Sequence, residues 1–194
     1  FDDFSDIFEV RHWVDGETTQ FGRLSVLSRR VTHPTESFGL RISDADGATL
    51  VYSGDTGMCE ALVELAAGAD VFLCEASWTD APDRPRDLHM SGAEAGRVAQ
   101  RAGVGELLLT HIPPWTSREA VISEAKSEFD GPVHAVVAGE TIELQRSWGR
   151  RRPGIGFLRG SETRRQGRRR ITPRGHYPRL YLTPGWIGAH RVRW

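Results

Sequence analysis

The stretch VTHPTESFGLRISDADGATLVYSGDT, residues 31–56, decides the fold. SFGLRIS and ATLVYSG each read as an apolar strand, and the DADG between them is a turn sequence suited to a hairpin. His33 stands at one end of this unit and Asp55 at the other. Imidazole and carboxylate hold borderline divalent metals such as zinc. Downstream, ELLLTHIPPW repeats the device: His111 follows a short apolar run, and Pro113–Pro114 stiffens the loop behind it. Ligands brought together from the ends of several strands make a rigid site. Ser53 and Gly54, both small, let the backbone before Asp55 come close to an ion.

Outward from this stretch the chain alternates β and α patterns. SDIFEVRHW (5–13) and RLSVLSRRV (23–31) alternate apolar and polar residues at period two, as half-buried strands do. MCEALVELAAG is predicted to be a helix closing at Gly68, and ADVFLCEAS a buried strand. SGAEAGRVAQRAG has helical spacing, with Ser91 as N-cap and Gly103 as terminator. TSREAVISEAKSEF offers Thr116 or Ser117 as the cap of a further helix. PVHAVVAG and TIELQ complete the series as strands. Strands and helices alternating in this way imply a layered α/β fold.

Composition sets outer bounds. A chain of 194 residues is one domain, or one domain plus a tail. It begins with Phe1 rather than Met, which suits a start inside a longer reading frame. No apolar run reaches the roughly 18 residues of a membrane span and no signal-peptide pattern opens the chain, so a cytoplasmic location is expected. Cys59 and Cys74 sit in or beside apolar stretches and are expected to be reduced.

The net charge of −1 conceals a split: residues 146–194 carry +13 and residues 1–145 carry −14. The basic segment has no lysine and no periodicity. Three readings of it stand: disorder, an electrostatic nucleic-acid contact, or translation of GC-rich DNA in a shifted frame. One permitted codon set for residues 169–193, read in the shifted frame, gives DELRPVVITRGFTSPPAGSVLIEFG. That string resembles the amino-terminal segment of ribonuclease PH.

A second constellation concerns proton transfer. CEAS carries Glu75 and DLHMSG carries His89, 14 residues later. A carboxylate beside an imidazole fixes its tautomer and favours its charged form. Trp78 and Trp115 flank these blocks and could stack on a base or close over the core edge. His12 and His134 lie in strand patterns and read as structural. Glu36 and Arg41, near His33, read as supporting or surface contacts.

Taken in order, THPTESFGLRI, SGDT, CEAS, DLHMSG and LLLTHIPP resemble blocks in the carboxy-terminal half of the metallo-β-lactamase-fold hydrolases. The branch is the one containing ribonuclease Z and bacterial cyclic-nucleotide phosphodiesterases, and the resemblance covers residues 20–145. It implies an α/β fold, the carboxy-terminal half of an αββα four-layer sandwich, over residues 1–146, with 147–194 as a separate Arg-rich tail. It implies His33, Asp55 and His111 as metal ligands, with Asp55 bridging, and His89, Glu75 and Asp55 as catalytic residues. Cys74 stands where the family commonly has histidine. The complete site would use two divalent ions, zinc or manganese.

The family's HxHxDH block is absent from this sequence, so the chain is expected to hold at most one ion, weakly, and to be inactive as it stands. The expected function is metal-dependent phosphodiester hydrolysis, on a small molecule or RNA. The half-sandwich leaves an apolar face, which points to poor solubility or a homodimer. A non-catalytic remnant and a nucleic-acid-binding protein acting through the tail are the alternatives. A membrane partner is not expected.

Overall fold

The computed structural model of the chain describes residues 10–144 and 179–181. Seven strands form one sheet in sequential order: β1 (Thr18–Phe21), β2 (Leu24–Arg30), β3 (Phe38–Asp44), β4 (Thr49–Tyr52), β5 (Val71–Glu75), β6 (Glu106–Thr110) and β7 (Val133–Ala135). The first four pair antiparallel. From β4 to β7 the pairing is parallel. The change follows from the connections: β3 and β4 are joined by the DADG turn, whereas helices α1 (Glu60–Ala66), α2 (Gly92–Ala102) and α3 (Arg118–Glu128) separate the later strands.

Period-two alternation sorts the strand residues onto two faces. Val51, Phe72, Cys74, Leu107 and Leu109 join helix residues such as Leu62, Val98 and Val121 in the main core. Leu50, Val71, Leu73 and Leu108 form a smaller cluster with Val136, Ile42, Ile142 and Leu144. The helices therefore cover one face of the sheet. β8 (Thr141–Glu143) contributes to the other and pairs antiparallel with β9 (Arg179–Tyr181).

The caps follow the chemistry of their residues. Ser91 accepts from the Glu94 N–H, Glu94 accepts in return from the Ser91 N–H, and Gly103 closes α2 at φ 63°. Ser117, rather than Thr116, caps α3 by accepting from the Ala120 N–H. Arg41 reaches across from β3 to donate to the Leu65 and Ala67 carbonyls at the end of α1 (2.8 and 3.1 Å), a helix-terminating role. Glu36 pairs with Arg30 at 3.6 Å. Cys59 and Cys74 are free thiols, and Cys74 is buried.

Three readings of the sequence differ from this structure. Residues 10–13 of SDIFEVRHW form no strand and His12 is exposed, while residues 5–9 lie outside the described residues. Alternation alone does not make a strand without a neighbour to pair with. β1 arises from TTQF, a polar edge whose backbone pairs with β2 although it buries little. In the basic segment, which shows no strand pattern, Arg179–Tyr181 nevertheless pairs with β8. Three residues are too few for a period to show. The other residues of that segment lie outside the described residues.

Candidate metal and acid–base site

Four strand ends meet on one side of the sheet. β4 runs into Ser53–Gly54–Asp55, β5 ends in Glu75, and β6 delivers His111; His33 lies in the turn from β2 to β3. Gly54 is at φ 64°, and a Cβ there would lie 2.5 Å from the Phe38 carbonyl oxygen. Only glycine fits this turn, which aims Asp55 outward. His111 is itself in the left-handed region, at φ 56°, a conformation that costs an ordinary residue energy. The Ser77 hydroxyl donates to the His111 carbonyl at 2.9 Å and helps hold that turn.

Glu75 is fully buried. Burial pushes its carboxyl up, against the Thr56 N–H and His89, which favour the charged form. It is surrounded by donors. The Thr56 N–H reaches Oε1 at 2.8 Å, the Ser77 hydroxyl reaches Oε2 at 3.2 Å, and the Met90 N–H reaches Oε2 at 3.4 Å. His89 Nδ1 completes the set at 2.7 Å from Oε1. With its proton on Nδ1 toward the carboxylate, His89 turns Nε2 away from Glu75.

The remaining groups surround this pair. The His89 ring centroid lies 5.6 Å from that of His33 and 5.1 Å from that of His111. His111 Nδ1 is 3.3 Å from Asp55 Oδ1. Thr35 occupies the Nδ1 edge of His33, with its hydroxyl at 2.9 Å, so the Nε2 edge is the open one. Tyr52, just before the turn, has its hydroxyl pushed up to about 12 by burial first and by the charges of Asp55 and Glu75 second.

Two groups of three residues each present ligand atoms lying within 4.8 Å of one another: His33, Asp55, His89 and Glu75, His89, His111. All five site residues named from the sequence thus come together. His33, Asp55 and His111 form no single such group among the described residues. Asp55 stands between, grouped with His33 and within 3.3 Å of His111. His89 belongs to both groups. Imidazole nitrogens with free edges beside carboxylate oxygens fit a divalent ion of the zinc type, and Thr35 and Glu75 orient the two imidazoles as outer hydrogen-bond partners do in metal sites.

Residues that the sequence did not single out also matter. Ser77 and Thr56 satisfy Glu75, and Arg84, whose side chain is largely buried, pairs with Asp80 and Glu94. Thr56 meets Glu75 across 19 residues of chain and Ser77 meets His111 across 34, so neither contact leaves a local signal. Trp78 sits 6.2 Å from His89, centroid to centroid, while Trp115 is exposed. His134 bonds Glu140 at 2.8 Å, away from this cluster, as a structural histidine does.

A mixed sheet with helices on one face, carrying imidazoles and carboxylates at its strand ends, is the architecture of a metallo-β-lactamase half-fold. The chain belongs to the Beta-lactamase superfamily domain family, which matches residues 6–112. An uncharacterized protein of Mycobacterium leprae is 73% identical over 144 residues, 74% of this chain and 51% of that protein. The Bacillus subtilis protein YhfI, named a probable metallo-hydrolase, is 32% identical over 61% of this chain and 48% of its own length. The YhfI crystal structure superposes with a TM-score of 0.59, covering 64% of this chain and 51% of that one. A ribonuclease Z of Myxococcus xanthus is 38% identical over 50% of this chain and 33% of its own length. The chain spans about half the length of the curated relatives it matches first, and so carries part of the full fold.

Among the described residues, no helix is long and apolar enough to cross a membrane.

Proposed function

We propose that this chain supplies the acid–base half and part of the metal-binding half of a metal-dependent phosphodiester hydrolase. The observation carrying this reading is the Glu75–His89 pair: a buried carboxylate fixing an imidazole among other ligand-type side chains. An alkoxide is a poor leaving group unless it is protonated as it departs, and a positioned imidazole supplies that proton. Ribonuclease Z, a name borne by relatives such as that of Myxococcus xanthus, supports a phosphodiester as the substrate.

In this reading His33, Asp55 and His111 would hold divalent ions, zinc or manganese. Bound ions would activate water and offset charge on the phosphoryl oxygens. Hydrolysis forms a P–O bond to the water oxygen and breaks the P–O bond to the leaving oxygen. His89 Nε2 gives its proton to that oxygen, Glu75 stabilises the imidazolium beforehand, and the proton lost by water passes to solvent.

The hydrolase part ends near residue 146. In support, the matches to the Mycobacterium leprae and Mycobacterium tuberculosis relatives run over 144 and 146 residues of the 194.

Two measurements test the proposal. Zinc titration of the 194-residue chain, by competition with a chromogenic chelator, should show binding that Asp55→Ala and His33→Ala each weaken. The chain extended upstream to the length of its relatives should hydrolyse bis(p-nitrophenyl) phosphate, and Asp55→Ala should lower turnover by about 10³-fold. An Asp55→Ala variant with near-normal turnover would refute the assignment.

A further inference from the structure

His89 stands at the edge of a cleft of about 740 Å³ whose lining includes Met58, Cys59, Arg84, Arg86 and Asp87. The volume falls in the roughly 300–1,000 Å³ range of sites that enclose small organic ligands. Its wall is the loop 79–90, and that wall is built firmly. The loop is closed at its neck, where the Trp78 N–H donates to the Met90 carbonyl at 3.2 Å and the Gly92 N–H to the Trp78 carbonyl at 3.1 Å. Arg84 latches it from inside. Its Nε lies 3.3 Å from Asp80, its guanidinium pairs with Glu94, and it reaches the His89 carbonyl at 3.5 Å. The loop also rests on the turn that carries Asp55: Asp87 is at φ 59°, and a Cβ on Gly57 would lie 2.7 Å from the Asp87 Cα.

The charges lining this cleft are unequal in their commitments. Arg84 is paired with Asp80 and Glu94, Arg97 with Asp80 and Glu128, and Arg101 with Glu60. Arg86, exposed and set between the Arg84 latch and the Asp87 contact, has no ion pair among the described residues. A guanidinium with an open fork is suited to phosphate.

If His89 protonates the leaving oxygen, the departing portion of the substrate begins beside His89, where the cleft begins. We propose that the cleft receives this leaving portion and that Arg86 holds a second, non-reacting phosphate on it. The substrate class is then a linear nucleotide with two phosphates, one cleaved and one gripped, rather than a diester with a single phosphate. The assignment of the leaving side to this cleft rests on the phosphodiesterase reading. Asp87 opposes the anion from the same loop and sets an upper limit on affinity.

The test is binding, which needs no turnover. The dinucleotide ApA and its 5′-phosphorylated form pApA are titrated into the full chain, following the His89 ring and Arg86 guanidinium resonances by NMR. pApA is expected to bind about tenfold more tightly than ApA, a difference that fades with salt. Arg86→Gln should remove that preference while leaving ApA unchanged, and Asp87→Asn, which tolerates the left-handed backbone, should increase it. Equal affinity for the two ligands, no binding of either, or an unaltered preference in Arg86→Gln would overturn the proposal. Because bis(p-nitrophenyl) phosphate has no second phosphate, its hydrolysis tests the phosphodiesterase reading separately.

Discussion

Two imidazole–carboxylate pairs stand side by side in this site, and their surroundings differ. In Glu75–His89 the side chains are 0% and 18% exposed and meet at 2.7 Å. In Asp55–His111 they are 45% and 46% exposed and meet at 3.3 Å. The inner pair is held further by the Thr56 and Met90 N–H groups on the carboxylate, with the Ser77 hydroxyl, shared with the His111 carbonyl, 3.2 Å from Oε2. The outer pair keeps its lone pairs available. A buried, saturated carboxylate fixes geometry, whereas an open one can change partners and accept an ion. Carboxylate and imidazole thus stand fixed in one place and accessible in the other, which is the difference that the proposed ligation by Asp55 and His111 draws on.

The largest effect that could break this contrast is on folding. Glu75→Ala would strand several buried donors and is expected to destabilise the chain by about 3–5 kcal/mol. Asp55→Ala, at a half-exposed position, should stay within about 1 kcal/mol. Urea unfolding midpoints at constant slope would measure both. Comparable losses would mean that the outer carboxylate is as structural as the inner one.

Gly54→Ala separates the pairs in a different way. It forces a left-handed alanine and a clash with the Phe38 carbonyl, at about 2 kcal/mol or more. Since the strain falls on the turn carrying Asp55, zinc binding should weaken more than the Glu75–His89 hydrogen bond, which the His89 NMR signals report. The reverse order would show that the two pairs move as one unit.

The smallest expected effect is spectroscopic. Tyr52, whose hydroxyl is pushed from its ordinary 10.0 up to about 12, senses both carboxylates. Its neutral form is the favoured one in the fold, so its contribution to stability is complete below 10.0 and is lost as pH rises through about 12. Ultraviolet titration of the chain and of Tyr52→Phe should assign a late-titrating tyrosine to position 52. Asp55→Ala should lower that value only partly, because burial is the larger cause. A fall to the ordinary value would contradict the order of causes.

What the sequence showed and what it hid divide along sequence distance. The β3–β4 hairpin, the Ser91 and Ser117 caps and the Gly103 terminator are local events, settled by neighbouring residues. His33, Asp55, Glu75 and His111 could be named because the strands end where apolar runs stop, and His89, in the loop before α2, was named from its DLHMSG block. Which of them share an ion-sized space could not, since that depends on how β4, β5 and β6 lie beside one another. Thr56 and Ser77 act through tertiary contacts and are chemically unremarkable in their own segments, while Arg84 acts within its own loop, where no regular period marks it. TTQF was missed because an edge strand needs only a backbone partner. VRHW misled because alternation can occur where no partner lies alongside.

The sequential strand order has a consequence for how the chain comes into being. From β1 to β7 each strand lies beside the one made just before it. As the ribosome extends the polypeptide, every new strand meets a waiting edge, and no segment must be held back for a later arrival. Closure is shortest in the antiparallel half, where turns join the strands, and longer in the parallel half, where each connection contains a helix. A nascent chain halted after β6 would already contain Glu75, His89 and the strands that flank them, with α3 and β7 still to be added to the sheet and its helical layer.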